Sequence, residues 1–385
     1  MSDEATGIAI VGCGYVADSY RYCLSLHQSE LRLTGVYDRD PQRLAAFVGH
    51  WGDKTYASLD DLLADETCTI VVNLTDPENH ETVTRAAIAA GKHVYSEKPV
   101  AMTHGTAKEL AAFAAEKGLL LAAAPCNFLG ESVQTAWAAV RQGAIGKVRL
   151  VYAELDDGMV HKASYETWLS RSGRAWPARG EFEVGCTYEH AGYAIGPLVA
   201  MFGSVRSVSS FSALVVPDKA TTPPLAHPAP DFSSGCLTFD NGIVARITNS
   251  IVAPYDHRFR IIGDEGTIEI SEIWDYASPV VLRRSNTSRL GRYLERRWPV
   301  MAQRPMRLCR ASPLKRGHNI PTMDFMRGVA DLADALRTGR NPKLDANLAI
   351  HVTEVTEMLQ HPERFEHGGK VQSEVPSIEP EAWAN

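Results

Sequence analysis

The sequence predicts an α/β fold in two parts. The first is an N-terminal Rossmann domain with a doubly wound parallel sheet, and the second a C-terminal α+β domain with a large, mostly antiparallel open sheet. Three observations predict this. In the first third, short apolar runs alternate with helical patterns, as parallel strands covered on both faces do. A glycine turn, Gly12-Cys13-Gly14-Tyr15-Val16-Ala17, joins the first run to the first helix. Beyond Pro125 the runs lengthen and are punctuated by Asp240-Asn241-Gly242 and Gly263-Asp264-Glu265-Gly266. Asn-Gly between alternating segments is a hairpin signal.

The elements follow in order. Gly7 to Val11 reads as a strand, Tyr15 to Leu26 as a helix and Leu31 to Asp38 as a second strand. Thr69 to Thr75, Val94 to Ser96 and Leu119 to Ala123 continue the parallel set, with helices over Asn79 to Ala90 and Thr106 to Lys117. The texture changes near Pro125, which sets a dinucleotide-binding domain at 1–125 and a second domain at 126–360. There, a helix over Glu131 to Gln142 leads into a strand at Lys147 to Leu155, and longer strands fill Val205 to Ile273. Pro217 to Pro230 carries five prolines and reads as a surface loop. Helices at Met323 to Arg337 and Asp345 to Gln360 follow, and residues 361–385 read as a polar tail, loose or an arm. Residues 283–317 hold eleven Lys and Arg against the single acid Glu295, with Tyr293 and Trp298 interleaved. They read as a basic insertion, or as an arm docking on an acidic sister subunit.

Composition narrows the function. With 385 residues, 45% hydrophobic and 22% charged, the chain is neither disordered nor fibrous. No apolar run approaches the roughly 18 residues of a membrane span. The acidic start Met1-Ser2-Asp3-Glu4 is no secretory signal, so a cytoplasmic protein without a membrane partner is expected. Seven scattered cysteines form no C-x-x-C pair and thirteen histidines no H-E-x-x-H, so neither a disulfide framework nor a metal site is expected. A net charge of −7 argues against a general nucleic-acid partner.

The glycine turn fits G-x-G-x-x-G/A between a strand and a helix, with an acid ending the second strand. Gly12 permits the tight turn, Gly14 lets the backbone approach a pyrophosphate, and Ala17 allows close helix–strand packing. The Asp38 carboxylate suits adenosine ribose hydroxyls and repels a 2′-phosphate, which favours NAD. Arg39 beside it suits such a phosphate, which leaves NADP open. Glu97-Lys98-Pro99 follows the fourth strand, at the carboxyl end where ligands of open α/β sheets bind. An ammonium there can stabilise an alkoxide, and the Lys98–Pro99 bond is a candidate for the cis form.

The glycine turn, Thr75-Asp76-Pro77-Glu78-Asn79-His80 and the run from Gly91-Lys92-His93-Val94 to Glu97-Lys98-Pro99 together resemble the glucose–fructose oxidoreductase / inositol dehydrogenase / rhizopine catabolism (Gfo/Idh/MocA) family. The resemblance implies NAD(P)-dependent redox chemistry on a secondary alcohol or ketone of a sugar, inositol or derivative. It implies that the second domain binds substrate and that its open sheet makes a homo-oligomer, a dimer or tetramer. It also implies that Lys98 is the active-site lysine. Tyr15, Val16, Thr75, Pro77, Asn79, His80, Glu97 and Lys98 then join Gly12, Gly14, Asp38 and Arg39 around the coenzyme.

The family's second motif is an Asp with a His four residues on. The matching stretch, Gly185 to Tyr193, holds Glu189 and Tyr193 at those positions. The two share one face of a helix. A carbinol needs a base for its hydroxyl proton, and a Lys98 ammonium is expected to lower the phenol of Tyr193 toward that task. His190 is the rival, and Lys98 acting alone a third choice. Asn127 is a substrate-contact candidate. Arg174, Trp176 and Arg179 suggest an acid-bearing sugar, because the guanidinium fork suits anions. Two other readings use the same pocket: a glycosidase that oxidises its sugar transiently, and a non-catalytic sugar or dinucleotide sensor.

Overall fold

The computed structural model describes residues 5–285, 288–297, 303–314, 317, 320–366 and 368–384. Five parallel strands, β1 (Thr6–Val11), β2 (Leu31–Tyr37), β3 (Ile70–Asn73), β4 (His93–Ser96) and β5 (Leu121–Ala123), form a sheet of order β2-β1-β3-β4-β5. Helices cover both faces, so the inner strands are apolar in their middles, and Ile8, Ala9 and Ile10 of β1 and Ile70, Val71 and Val72 of β3 are fully buried. β1 has β2 on one side and β3 on the other, which opens a crevice at the carboxyl ends of these strands. Local chemistry sets the flanking helices. Asp40 caps Pro41–Trp51 by accepting from the Gln42 and Arg43 N–H groups, and Thr103 caps His104–Glu116.

The second sheet has nine strands: β6 (Val148–Asp156), β7 (Val205–Ala213), β8 (Phe232–Phe239), β9 (Val244–Ser250), β10 (Phe259–Gly263), β11 (Gly266–Ile270), β12 (Val280–Arg284), β13 (Gln303–Met306) and β14 (Gly369–Lys370). Their order is β13-β12-β11-β10-β6-β9-β8-β7-β14, antiparallel except for the parallel pair β6 and β9. Alternate residues such as Leu237, Ala245 and Ile247 point into the core. The helix Ala346–Gln360 packs on this face and on the Rossmann helix His104–Glu116. Leu348, Val355 and Leu359 belong to the larger core, while Ala346, Ala349 and Ile350 sit with Rossmann residues such as Leu110 and Val94. One helix thus packs in both interiors.

The structure places parts of two segments that the sequence left open. The basic segment supplies the sheet's edge: Arg283 and Arg284 lie in β12, paired with Thr267 and Gly266, and residues 303–306 form β13 against it. Arg310 binds the fully buried Glu131 at 2.8 Å and stacks on Trp383. Trp298, Lys315 and Arg316 lie outside the described residues. The tail is docked too: β14 pairs with β7, the Glu354 carboxylate accepts from the Gln372 and Ser373 N–H groups, and the Arg141 guanidinium donates to the Ala384 carbonyl at 2.7 Å. Polar composition hid this, because backbone groups make most of these bonds. Among the described residues no helix is long and apolar enough to cross a membrane.

Candidate active site

The crevice at the glycine turn is a cavity of about 210 Å³. Gly12, Gly14, Asp38, Arg39, Thr75 and Asn79 line it, all named from sequence. Gly12 has φ +100°, and a Cβ there would stand 2.6 Å from the Leu74 carbonyl oxygen, so no side chain fits. A Cβ at Gly14 would meet nothing within 4 Å; its absence keeps the mouth open. The Asp38 carboxylate accepts from the Cys13 N–H at 2.7 Å and the Asp40 N–H at 2.8 Å. Two of its lone pairs remain for ribose hydroxyls. The cradle therefore fits a dinucleotide. Tyr15 and Val16 lead into the helix Ala17–Cys23, and Pro77 opens the helix Pro77–Ala89.

His80 and Glu97, expected at the coenzyme, turn inward instead. The buried His80 ring bridges two carbonyls, Nδ1 2.6 Å from Pro99 and Nε2 2.7 Å from Thr75. Glu97 accepts from the Tyr20 hydroxyl at 2.8 Å and from the Lys98 N–H at 2.9 Å. Both brace the turn that presents Lys98, whose bond to Pro99 is cis.

Lys98 reaches from the end of β4 to the helix Cys186–His190, where its ammonium binds the Glu189 carboxylate. Burial disfavours the ammonium, but Glu189 foremost, with Tyr193, Glu97 and Glu181, holds it well above the ordinary lysine range. After Ala191 the chain continues as the helix Gly192–Phe202, which carries the buried Tyr193. Burial raises the phenol, Lys98 lowers it, and the net direction is upward. The expectation of a lowered phenol is corrected: desolvation outweighs a cation already paired with Glu189. His190 faces away, its Nε2 3.4 Å from Glu181 and 3.9 Å from Asp157. Burial, then Lys98 and His257, hold its imidazole neutral.

Asn127 is fully buried, and its Nδ2 donates to the Tyr193 carbonyl at 2.7 Å, which fixes the tyrosine's backbone. The remaining substrate candidates are not brought to Lys98. Arg179 is tied to Glu183 at 2.7 Å and to the Pro223 carbonyl at 2.6 Å, on the helix face opposite Glu181. Trp176 packs in a separate aromatic cluster with Tyr165, Trp168 and Phe182. Arg174 lies near Asp40, whose carboxyl is held low by the Gln42 N–H foremost, with Arg43 and then Arg174 adding to it. The Arg174 loop is anchored by Ser172, whose hydroxyl donates to Asp18 at 2.7 Å.

Four residues of the pocket escaped the sequence reading: Glu181, Asp157, His257 and Trp274. Burial, reinforced by Glu189, pushes the Glu181 carboxyl well up. Burial raises Asp157 to about 6, opposed by His257. Asp157 follows β6, whereas His257 and Trp274 stand in loops flanking β10 and β11, so no spacing links them. Asp156-Asp157-Gly158 after a strand was the one available cue. Among the described residues no group of three or more His, Cys, Asp or Glu is arranged to hold a metal.

A dinucleotide crevice beside a lysine–carboxylate–tyrosine group defines a nicotinamide-type oxidoreductase architecture. The description "Oxidoreductase family, NAD-binding Rossmann fold" matches residues 6–124, and "GFO/IDH/MocA C-terminal domain" matches residues 133–269. The chain belongs to the Gfo/Idh/MocA oxidoreductase family. It is 24% identical over 269 residues to the trans-1,2-dihydrobenzene-1,2-diol dehydrogenase of Mus musculus, 69% of this chain and 74% of that one. Among solved structures it resembles the aldose-aldose oxidoreductase of Caulobacter crescentus complexed with glycerol, with TM-score 0.72, 20% identity, and 96% and 100% of the two chains covered. It also resembles the WlbA dehydrogenase of Bordetella pertussis in complex with NADH and UDP-GlcNAcA, with TM-score 0.70, 17% identity, and 98% and 99% covered. At these identities the two structures speak to the fold.

Proposed function

We propose that the protein is an NAD-dependent dehydrogenase or reductase acting on a secondary alcohol, or the matching ketone, of a sugar, cyclitol or related diol. The observation that carries this is the contact of the Lys98 ammonium with Glu189, one turn from Tyr193, beside the glycine crevice. A nicotinamide bound there accepts or supplies the hydride. Lys98 and the Tyr193 hydroxyl hydrogen-bond the substrate oxygen and stabilise charge developing on it. In reduction, the Lys98–Glu189 pair gives a proton to the substrate oxygen, and the Tyr193 hydroxyl hydrogen-bonds that oxygen. In oxidation, the Lys98–Glu189 pair takes the hydroxyl proton, with Glu189 as the acceptor in contact. Asn127, Glu97 and His80 position these groups. The diol and aldose substrates named for two of the relatives agree with this class. Asp38 favours NAD over NADP.

The test is spectrophotometric. Purified protein with NAD or NADP and a panel of aldoses, cyclitols and cyclic diols should generate reduced nicotinamide, faster with NAD. Lys98→Ala should abolish the signal. Glycoside cleavage with no net nicotinamide reduction would replace this reading with the glycosidase, and ligand binding without either reaction with the sensor.

A further inference from the structure

Next to Tyr193 lies a cluster of buried polar side chains with unfinished hydrogen bonding. Glu181 Oε1, His190 Nδ1, His257 Nε2 and Trp274 Nε1 are buried atoms with no hydrogen-bond partner among the described residues. Glu181, His190 and His257 are 6%, 5% and 1% exposed. An unmet buried polar atom costs about 1–3 kcal/mol, so a cluster of them marks a place that a ligand can complete. Trp274 joins the cluster to the reacting end: its ring centroid lies 4.8 Å from Tyr193, 5.6 Å from His190 and 4.2 Å from His257. Asp157 bridges the two imidazoles, 3.9 Å from His190 Nε2 and 3.6 Å from His257 Nε2. Glu272 holds the far side of His257 at 3.1 Å.

The set mixes acceptors with N–H donors. A hydroxyl, which donates and accepts, satisfies both. A carboxylate or phosphate only accepts, and here it would meet the carboxylates of Glu189 and Asp157 with Lys98 already paired. Of the arginines that suggested an acidic substrate, Arg179 is tied to Glu183 and to the Pro223 carbonyl. We infer that Asp157, His257, Glu181 and Trp274 form a hydroxyl-reading subsite, and that the substrate is an uncharged ring compound carrying adjacent hydroxyls. One hydroxyl sits at Lys98 and Tyr193 while its neighbours reach the cluster across the Trp274 face. This rests on the dehydrogenase reading for the direction of the ring, but its test does not need turnover.

The test uses the full chain with NAD. Calorimetry compares D-glucose with D-glucuronate and D-galactose with D-galacturonate, alongside D-xylose and myo-inositol, while nicotinamide reduction is followed in parallel. A neutral compound should bind, each neutral sugar at least tenfold tighter than its uronate. Asp157→Asn should weaken neutral binding about tenfold and shrink the discrimination, with the loss falling on KM more than kcat. His257→Gln should do the same, which guards against one variant misfolding. Uronates binding as tightly as neutral partners, no binding by any compound, or both variants within twofold of the parent would overturn the inference. Selective neutral binding with no nicotinamide reduction would sink the dehydrogenase reading alone. Turnover confined to uronates would sink the subsite alone.

Discussion

The glycine-turn crevice and the side-chain cluster around Lys98 are built on opposite plans. The crevice is made of backbone and missing side chains, Gly12 and Gly14 at the mouth and Asp38 folded onto the turn, all within the first strands. The cluster is made of titratable side chains from separate segments: Lys98 after β4, Asp157 after β6, Glu181 to Tyr193 on short helices, and His257 and Trp274 in sheet loops. A backbone site tolerates many sequences as long as its geometry holds. A side-chain site depends on charges balancing in a buried space.

That contrast can be broken or sharpened by experiment. The largest effect is expected at Lys98. Lys98→Ala should lower kcat by about 10²–10⁴, the range for loss of a positioned proton-transfer group, with the Kd for NAD within threefold by calorimetry. A large loss of NAD affinity would show that the two regions are one. Tyr193→Phe should cost about 10² in kcat by the same reasoning. In the crevice, Gly12→Ala should raise the Kd for NAD about tenfold, because an L side chain at φ +100° is strained by about 1–3 kcal/mol and meets Leu74. Its kcat at saturating coenzyme should move little.

Smaller effects concern stability. Asp157 is raised to about 6 by burial, above the ordinary carboxyl value of 3.8. Its contribution is therefore full below about pH 4 and lost as pH rises through 6, by up to roughly 2 kcal/mol. Asp157→Asn should remove that slope, so urea unfolding should find the variant gaining on the parent between pH 5 and pH 8. A constant difference across that range would refute the buried carboxyl. The smallest change is expected for Arg179→Ala, which loses an exposed ion pair worth under about 1 kcal/mol. KM should stay within twofold.

Legibility followed the same division. The Rossmann strands, the turn and Asp38 are contiguous, so period and spacing reveal them. Lys98 and the Glu189–Tyr193 pair were readable because each sits in a short motif. Tyr193's raised phenol was not, since it depends on burial and on Glu189 claiming Lys98 first. His80 and Glu97 carry the right residue types, but their direction is decided by the Thr75 and Pro99 carbonyls and the Tyr20 hydroxyl. Asp157, His257 and Trp274 meet through sheet register, which one sequence does not display. Arg179 misled because a cation near a motif looks the same whether it faces the pocket or Glu183.

The helix Ala346–Gln360 belongs to two interiors at once, with Ile350 seated among Rossmann side chains and Leu359 against the nine-stranded sheet. Close-packed interiors yield little, so prising the halves apart by an ångström would strip contacts from both. Through this shared helix the two halves bear on each other, and a load on one is carried into the other.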